Sequence, residues 1–270
     1  MAARDKFHGR VLIVAGSDSG GGAGIQADIK TVTALGGYAT TAITALTAQN
    51  TLGVQDVLPV PPAFVRAQMR SVLDDIGTDA VKLGMLHDAG VIEAVADALP
   101  DAPLVVDPVM VAKGGASLLA DAALDALKRR IIPRATILTP NAPEAAKLSG
   151  MAIDELEDMP RAGRLLLRLG AKAVLVKGGH LQGDLVHDVL VTEDGHETFT
   201  SPRVHTQHTH GTGCTLASAI ATGLAQGLGL RDAVVRARAY LLEAIRHAPG
   251  LGHGQGPVEH GHTVRPFMLS

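Results

Sequence analysis

Short apolar runs, bounded by glycine, proline or a charged residue, recur along the chain and predict buried strands. The clearest span residues 11–16, 80–84, 104–110, 136–139 and 173–177. They alternate little between apolar and polar positions, which is typical of strands buried on both faces of a parallel sheet. Further strands are predicted at residues 38–48, 54–60, 185–192 and 197–204, the last two as an antiparallel pair.

Segments with helical spacing of apolar residues lie between these runs. After the first run, Ile25, Ile29, Val32 and Leu35 would share one face of a helix. An alternation of buried strands with helices is the pattern of a doubly wound α/β protein. Other helices are predicted at residues 63–76, 91–99, 121–132, 159–169, 215–226 and 231–247, and one more begins within 140–144.

The whole pattern predicts a three-layer α/β/α fold around a central, mostly parallel sheet of about eight or more strands. No internal repeat and no long linker rich in proline, glycine or serine divides the chain. We therefore expect residues 1–270 to form a single domain, with 1–9 and 261–270 as peripheral tails.

The amino-acid composition and the net charge exclude several classes of protein. Hydrophobic residues make up 46% of the chain but aromatics only 2%, so the core is built from small aliphatic side chains. A net charge of -3 without a basic stripe argues against nucleic-acid binding. The single cysteine excludes an internal disulfide and suits the reducing cytoplasm. Residues 212–230 carry no charge, but they are short and rich in glycine and alanine, so we expect a buried helix rather than a membrane span.

A glycine-rich turn at residues 17–24 follows the first strand and leads into the first helix. It lacks the lysine ending of a P-loop, and Ile25 breaks the register of the dinucleotide-binding GxGxxG motif. The turn still allows backbone to approach a small ligand. Asp28, which follows it, would hydrogen-bond that ligand or serve only as a favourable carboxylate near a helix start.

A second glycine turn at residues 209–215 precedes a helix of small residues. Exposed N–H groups and the positive end of the helix dipole would form an anion site there. Cys214 lies at this helix start, a position that lowers the pKa of a thiol and favours the reactive thiolate. The alternative is a turn that only caps a buried helix, with the cysteine as a small core residue. The turn alone leaves both interpretations open.

Four side chains follow predicted strands at the edge where ligands of parallel sheets bind. The Gln49 amide can pair with the edge of a nitrogen heterocycle, and Met85 can cover a flat ring. Asp107 would face the ligand crevice, and Lys177 would meet a nucleotide phosphate. The ordinary alternatives are an exposed loop amide for Gln49 and a gap-filling core side chain for Met85.

Asn141 and Glu144 have the spacing of a helix capping box, and their oxygens could alternatively help to hold a hydrated Mg²⁺. Residues 113–115 predict a mobile turn that could move over the site. A zinc site is conceivable among the histidines, but without a cysteine partner or regular spacing we favour scattered loop histidines. The histidines concerned are His205, His208, His210, His253, His260 and His262.

Seven blocks match one protein family in order, over roughly residues 11 to 258. The chain resembles the hydroxymethylpyrimidine and phosphomethylpyrimidine kinases of thiamin biosynthesis, within the ribokinase-like superfamily. So many blocks in order are far more specific than a single motif. The blocks are residues 16–28, 43–51, 82–86, 106–110, 138–144, 176–180 and 209–215, with a further familial segment at 254–258.

The resemblance implies that ATP phosphorylates 4-amino-5-hydroxymethyl-2-methylpyrimidine and that a second ATP converts the monophosphate to the diphosphate. We expect backbone N–H donors at Gly211, Thr212, Gly213 and Cys214 for the moving phosphoryl group, and the resemblance places Cys214 as the base. It also implies a cytoplasmic enzyme and a homodimer. The resemblance further implies contacts of the pyrimidine with Gly16, Asp28, Gln49, Met85 and Val109. It implies that Mg²⁺ and the ATP phosphates are organised by Asp107, Asn141 and Glu144, of which Asp107 and Glu144 would be metal ligands partly through water. It implies nucleotide contacts at Lys177 and Thr209.

Three alternatives stay open at this point. A pyridoxal or pyridoxine kinase on the same fold is the nearest, because its ring is of similar size and also carries a hydroxymethyl group. A binding protein that senses the pyrimidine without catalysis is less favoured, because Cys214, Asp107, Glu144 and Lys177 occur together. A Rossmann dehydrogenase is weaker still, since the glycine register is absent.

Overall fold

The structure is a computed structural model that describes residues 9–110 and 121–265. The turn predicted at residues 113–115 lies outside these described residues. The described part has nine strands in one sheet, in the order β3-β2-β1-β4-β5-β6-β7-β8-β9. The strands are β1 (Arg10–Asp18), β2 (Tyr38–Asn50), β3 (Gly53–Pro59), β4 (Ala80–Leu83), β5 (Leu104–Val106), β6 (Ile137–Leu138), β7 (Val174–Lys177), β8 (Leu185–Thr192) and β9 (Gly195–Pro202).

Strands β1, β2 and β4 to β7 pair in parallel, whereas β3, β8 and β9 pair in antiparallel fashion at the two edges. The mostly parallel sheet and the antiparallel pair β8–β9 are therefore confirmed. The helices are α1 (Gly24–Ala34), α2 (Pro62–Asp75), α3 (Ala89–Ala98), α4 (Asp121–Ala126), α5 (Ala142–Ser149), α6 (Asp158–Leu167), α7 (Thr212–Ala225) and α8 (Leu230–Arg246).

The sheet separates two hydrophobic cores, as the alternation of side chains along β1 illustrates. Val11 and Ile13 pack in a core with α1, α7 and α8. Leu12 and Val14 point the other way, into a core that contains residues of α2 to α6. All four are fully buried, and each buried aliphatic side chain stabilises the fold by roughly 1.5–3 kcal/mol. The three-layer α/β/α prediction is confirmed.

The order of the strands explains where a ligand site can form. From β1 the chain passes to β2 on one side and later to β4 on the other, so the topology reverses between β1 and β4. The carboxyl ends of the strands open a crevice at such a reversal. Both glycine turns, at residues 17–24 and 209–215, lie at this crevice, where His210 contacts Asp18.

Among the element boundaries that differ from the prediction, two lie at the ligand crevice. Helix α7 begins at Thr212 rather than at residue 215, because Gly211 with φ of +82° makes the turn and Gly213 joins the first helical turn. Strand β5 ends at Val106, before Asp107 and Pro108, since proline has no N–H to donate to a ladder. Among the described helices, none combines the length and apolar character that crossing a membrane requires.

Candidate active site

The carboxylate of Asp18 organises the first glycine turn. Its Oδ1 accepts a hydrogen bond from the N–H of Gly20 at 2.8 Å, and its Oδ2 accepts from Gly22 and Ala23 at 3.1 and 2.8 Å. Burial alone would raise the pKa of Asp18, but hydrogen bonds from His210 and the turn amides outweigh it and lower that pKa. The turn is therefore held in one conformation by an ionised carboxylate.

His210 joins the two glycine turns to Gln49. Its Nε2 lies 2.9 Å from Asp18 Oδ2 and 2.9 Å from Gln49 Nε2. The turns also touch directly, because a Cβ at Gly211 would overlap the carbonyl oxygen of Gly22. Gln49 is thus fixed beside the start of α7, where the resemblance places a pyrimidine contact.

The first turn of α7 presents free N–H donors. Within residues 9–110 and 121–265, the backbone N–H groups of Gly213 and Cys214 have no hydrogen-bond partner. The hydroxyl of Thr212 at 3.2 Å and its N–H at 3.5 Å both donate to the carbonyl oxygen of Thr209 and close the turn, so Thr212 does not offer the free N–H that was predicted for it. Free donors at the positive end of a helix form an anion site, as the sequence predicts.

Cys214 is half-buried at this helix start, and the prediction of a lowered pKa is wrong. Burial raises the pKa of the Cys214 thiol to about 12, and the nearby charge of Lys82 only partly opposes this shift. The helix start acts on the thiol through partial charges, whereas desolvation penalises the full charge of a thiolate. At neutral pH the thiol of the substrate-free protein is therefore protonated.

An ion pair between Asp107 and Lys177 lies directly against the start of α7. Lys177 Nζ is 2.9 Å from Asp107 Oδ1, and Asp107 is almost fully buried. Burial would lower the pKa of Lys177, but Asp107 and Glu144 keep it raised. A Cβ at Gly213 would lie 3.3 Å from both Asp107 Oδ2 and Lys177 Nζ. A side chain at this position would crowd the ion pair, so Gly213 lets the pair approach the helix backbone closely.

The predicted capping box at the start of α5 is confirmed. Asn141 Oδ1 accepts from the N–H of Glu144 at 2.9 Å, and Glu144 Oε2 accepts from the N–H of Asn141 at 2.8 Å. Burial raises the pKa of Glu144 to about 7, an effect that Asp107 increases and Lys177 opposes. Glu144 and Asp107 therefore repel each other across a small, poorly solvated space.

Gly16 and Met85 are neighbours at the ends of β1 and β4. The sulfur of Met85 would lie 3.3 Å from a Cβ at Gly16, so the lack of a side chain at Gly16 leaves room for the Met85 side chain. The hydroxyl of Thr44 donates to the carbonyl oxygen of Met85 at 2.6 Å. Val109 is half-buried, and its N–H donates to the carbonyl oxygen of Asp107 at 2.8 Å. Gly16, Met85 and Val109 therefore all lie on the side of the sheet where the carboxyl ends of the parallel strands meet.

Asp28 is placed differently from the other predicted ligand contacts. It is fully buried in α1, and both of its oxygens lie 2.8 Å from Lys82 Nζ. The hydroxyl of Ser218 donates to Asp28 Oδ1 at 2.7 Å. Asp28 could therefore hydrogen-bond a ligand only by giving up these partners, and it is neither exposed nor a simple helix-start carboxylate.

The sequence reasoning missed Lys82, Ser218, Asp18 and the contact role of His210. One signal was available for Lys82, because a lysine inside an otherwise apolar strand requires a buried partner. Across residues 9–110 and 121–265, no group of three or more His, Cys, Asp or Glu side chains is placed to hold a metal ion.

A family model described as phosphomethylpyrimidine kinase matches residues 18–259. The thiamine biosynthesis bifunctional protein ThiED of Geobacter sulfurreducens is 56% identical over 256 residues, which cover 93% of this chain and 52% of that protein. The chain thus spans about half the length of that relative. The hydroxymethylpyrimidine/phosphomethylpyrimidine kinase of Streptomyces coelicolor is 52% identical over 253 residues, which cover 93% of this chain and 94% of that protein.

Solved structures are similar over most of the chain. An ADP complex of Bacillus subtilis pyridoxal kinase matches with a TM-score of 0.88 and 37% identity, covering 94% of this chain and 98% of that one. A phosphomethylpyrimidine kinase from Clostridium difficile 630 matches with a TM-score of 0.78 and 42% identity, covering 87% and 99%. The fold is therefore ribokinase-like, and the chain belongs to the phosphomethylpyrimidine kinase family.

Proposed function

We propose that this protein uses ATP to phosphorylate 4-amino-5-hydroxymethyl-2-methylpyrimidine and then phosphorylates the monophosphate to the diphosphate. One observation carries the proposal: the first turn of α7, where the N–H groups of Gly213 and Cys214 have no partner among the described residues, passes beside the Asp107–Lys177 pair at Gly213. An anion site beside a lysine and a carboxylate suits a phosphoryl group in transfer, whose charge needs neutralising on several sides.

The pyrimidine ring binds beside this anion site. The amide of Gln49 pairs with the ring nitrogen and the amino group, and Met85 covers the ring face, with Gly16 and Val109 completing the contacts. Support comes from the position of Gln49 next to His210, one residue before Gly211. The hydroxymethyl group then lies near the start of α7.

The nucleotide binds on the other side of the anion site. Lys177 and Thr209 contact the nucleotide, and Asn141 with Glu144 organises its phosphates. Asp107 and Glu144 are hard oxygen donors whose mutual repulsion a divalent cation would relieve, so they fit Mg²⁺ held partly through water. Bound there, Mg²⁺ would neutralise charge on the ATP phosphates. The ADP complex of the pyridoxal kinase supports nucleotide use by this fold.

In the first step, the hydroxymethyl oxygen attacks the γ-phosphorus of ATP, and ADP leaves with the electron pair of the broken P–O bond. The thiol of Cys214 first loses its own proton to solvent, and the resulting thiolate then accepts the hydroxyl proton as the base. Because the thiol is protonated at rest, the cost of ionising it belongs to the barrier of this step. In the second step the acceptor is a phosphate that is already largely ionised, so this base is not needed.

A pyridoxal kinase is the second candidate, because the match to Bacillus subtilis pyridoxal kinase has the higher TM-score of the two structures described above. The sequence identity favours the pyrimidine instead. Release of ADP, measured in parallel with the pyrimidine alcohol and with pyridoxal, separates the two. We expect kcat/KM to be at least about tenfold higher with the pyrimidine; a preference for pyridoxal would reverse the assignment.

A homodimer and a cytoplasmic location stay predictions. Two leucines support a contact between copies: Leu46 and Leu58 are paired across β2 and β3 at the sheet edge and are 44% and 64% exposed. Apolar side chains side by side on an edge hairpin favour burial against a second surface.

A further inference from the structure

Lys82 is a buried cation that the proposed reaction leaves without a role. It lies in β4, whose four residues are all buried, and its side chain is fully enclosed. Removing an ammonium group from water costs several kcal/mol unless a partner compensates. An ion pair in such a place is weak evidence for stability, because an apolar pair of similar size is often as stable.

The contacts of Lys82 fix its ammonium group in one place. Its Nζ lies 2.8 Å from both oxygens of Asp28, which is held in turn by the hydroxyl of Ser218 at 2.7 Å. A Cβ at Gly84 would lie 2.9 Å from the same Nζ. The charge therefore lies just beneath the strand end where Met85 lines the crevice.

Helix α7 connects Cys214 to the Lys82–Asp28 ion pair through Ser218. Ser218 follows Cys214 by four residues, so the two side chains lie on the same face of the helix, one turn apart. Ser218 contacts Asp28, and Asp28 contacts Lys82. Cys214 is thus one helical turn away from Ser218, at which a bonded chain of hydroxyl, carboxylate and ammonium begins.

The charges around Cys214 differ in their effect on it. Lys82 is the largest influence that opposes desolvation and lowers the pKa of the thiol, whereas Asp28 and Asp107 raise it. Lys177, from β7, interacts with Cys214 as well. The charged groups that act on Cys214 thus come from α1, β4, β7 and the residue that follows β5, and Lys82 is the cation that acts most strongly on the thiol.

We propose that Lys82 is a positioning residue that supplies the positive charge stabilising the Cys214 thiolate, with Asp28 and Ser218 holding its ammonium group in place. This inference rests on the role of Cys214 in the proposed function. It also gives Asp28 a different task from pyrimidine binding: it orients Lys82 rather than the ring.

The test uses the reactivity of Cys214, which is the only cysteine in the 270 residues, so alkylation by iodoacetamide reports on it alone. In the substrate-free full chain, Lys82→Met should slow alkylation between pH 7 and pH 9 at least about threefold. A shift of one pKa unit changes the thiolate fraction tenfold, and the greater nucleophilicity of the more basic thiolate offsets part of that. Lys82→Arg should restore most of the rate, because it keeps the charge.

Two further variants control for folding and for general charge. Lys82→Met combined with Asp28→Asn leaves no unpaired buried charge and should fold. It should alkylate faster than Lys82→Met but more slowly than Asp28→Asn alone, because the loss of the Asp28 carboxylate lowers the pKa of the thiol and offsets part of the loss of Lys82. Lys172→Met removes an exposed lysine and should alkylate like the wild type. In the kinase assay, Lys82→Met should lower kcat for the pyrimidine alcohol at least about tenfold while KM changes less than twofold.

The proposal would be overturned by an unchanged alkylation rate in folded Lys82→Met, or by a double variant that alkylates no more slowly than Asp28→Asn, and the pair would then be a purely structural one. A rise in KM at unchanged kcat, together with an unchanged alkylation rate, would also overturn the proposal, since Lys82 would then act on substrate binding. The alkylation rates need no substrate, so they stand apart from the proposed function. Failure of the wild type to phosphorylate the pyrimidine would remove the function but not the charge effect.

Discussion

At the scale of single residues, the thiol of Cys214 shows how two physical effects compete at one atom. The helix start favours a thiolate, but the protein packed around the sulfur penalises the charge more strongly and raises the pKa to about 12. A sequence shows the helix start but not the packing. This is why the position of Cys214 at the start of α7 was predicted correctly and its ionisation was not.

The Cys214→Ala variant separates the two proposed phosphorylation steps. Loss of the base should lower kcat for the pyrimidine alcohol by about 10²- to 10⁴-fold, because that step must remove a hydroxyl proton. Phosphorylation of the monophosphate should fall much less, since its acceptor is already ionised. Steady-state rates with each substrate check this, and equal losses in both steps would exclude Cys214 as a base for the alcohol alone.

Glu144 gives a second prediction, for stability against pH. Its folded pKa of about 7 exceeds the ordinary value of 4.5, so the folded state holds a proton that the unfolded state releases first. Stability is therefore lost as pH rises from about 4.5 to about 7, by an amount on the order of 3 kcal/mol at most. Glu144→Gln keeps the capping acceptor and removes this loss.

The measurement is the difference in Tm between Glu144→Gln and the wild type at pH 5 and at pH 8. The variant should gain several degrees relative to the wild type at pH 8 and much less at pH 5. Glu155→Gln, at an exposed carboxylate, is the matched control. A gap that stays constant between the two pH values would show that Glu144 ionises normally.

At the scale of elements, the strands and helices were predictable because local patterns determine them. Continuous apolar runs marked the parallel strands, and the Asn141 to Glu144 spacing marked the start of α5. Contacts between distant elements were not predictable. Asp18 meets His210 across 192 positions of the sequence, and Asp28 meets Lys82 across 54. Only the folded sheet brings these side chains together.

Gly211 links the two glycine turns, and its replacement should affect both stability and activity. Alanine at φ of +82° costs about 1–2 kcal/mol, and its Cβ would also overlap the carbonyl oxygen of Gly22. We expect Gly211→Ala to destabilise the protein by more than that and to lower kcat at least about tenfold, as the donors of α7 shift.

Gly36→Ala is the matched control for this prediction. Gly36 has a similar φ of +79°, but a Cβ there meets nothing within 4 Å. Gly36→Ala should destabilise the protein only by the cost of a positive φ, about 1–2 kcal/mol, and should leave kcat unchanged. Chemical denaturation and steady-state kinetics measure both effects, and equal behaviour of the two variants would mean that contact between the turns does not position α7.

At the scale of the whole molecule, the three-layer fold and the family followed from the sequence, because seven blocks occur in one order and the strand pattern is regular. The order of those blocks places the ends of β1, β2, β4, β5 and β7 along one crevice. The exception is Asp28, whose position in the sequence motif gave no sign that it is sealed beneath that crevice. Burial of this kind depends on how α1 and α7 pack on the sheet.

The central claim is that this crevice transfers phosphoryl groups from ATP to the pyrimidine alcohol twice in succession. The most direct measurement is the mass of the product formed by the wild-type protein from that alcohol with excess MgATP. We expect a product that carries two added phosphates. A product with one phosphate would contradict the second step, and recovery of the unmodified alcohol would contradict the proposed function itself.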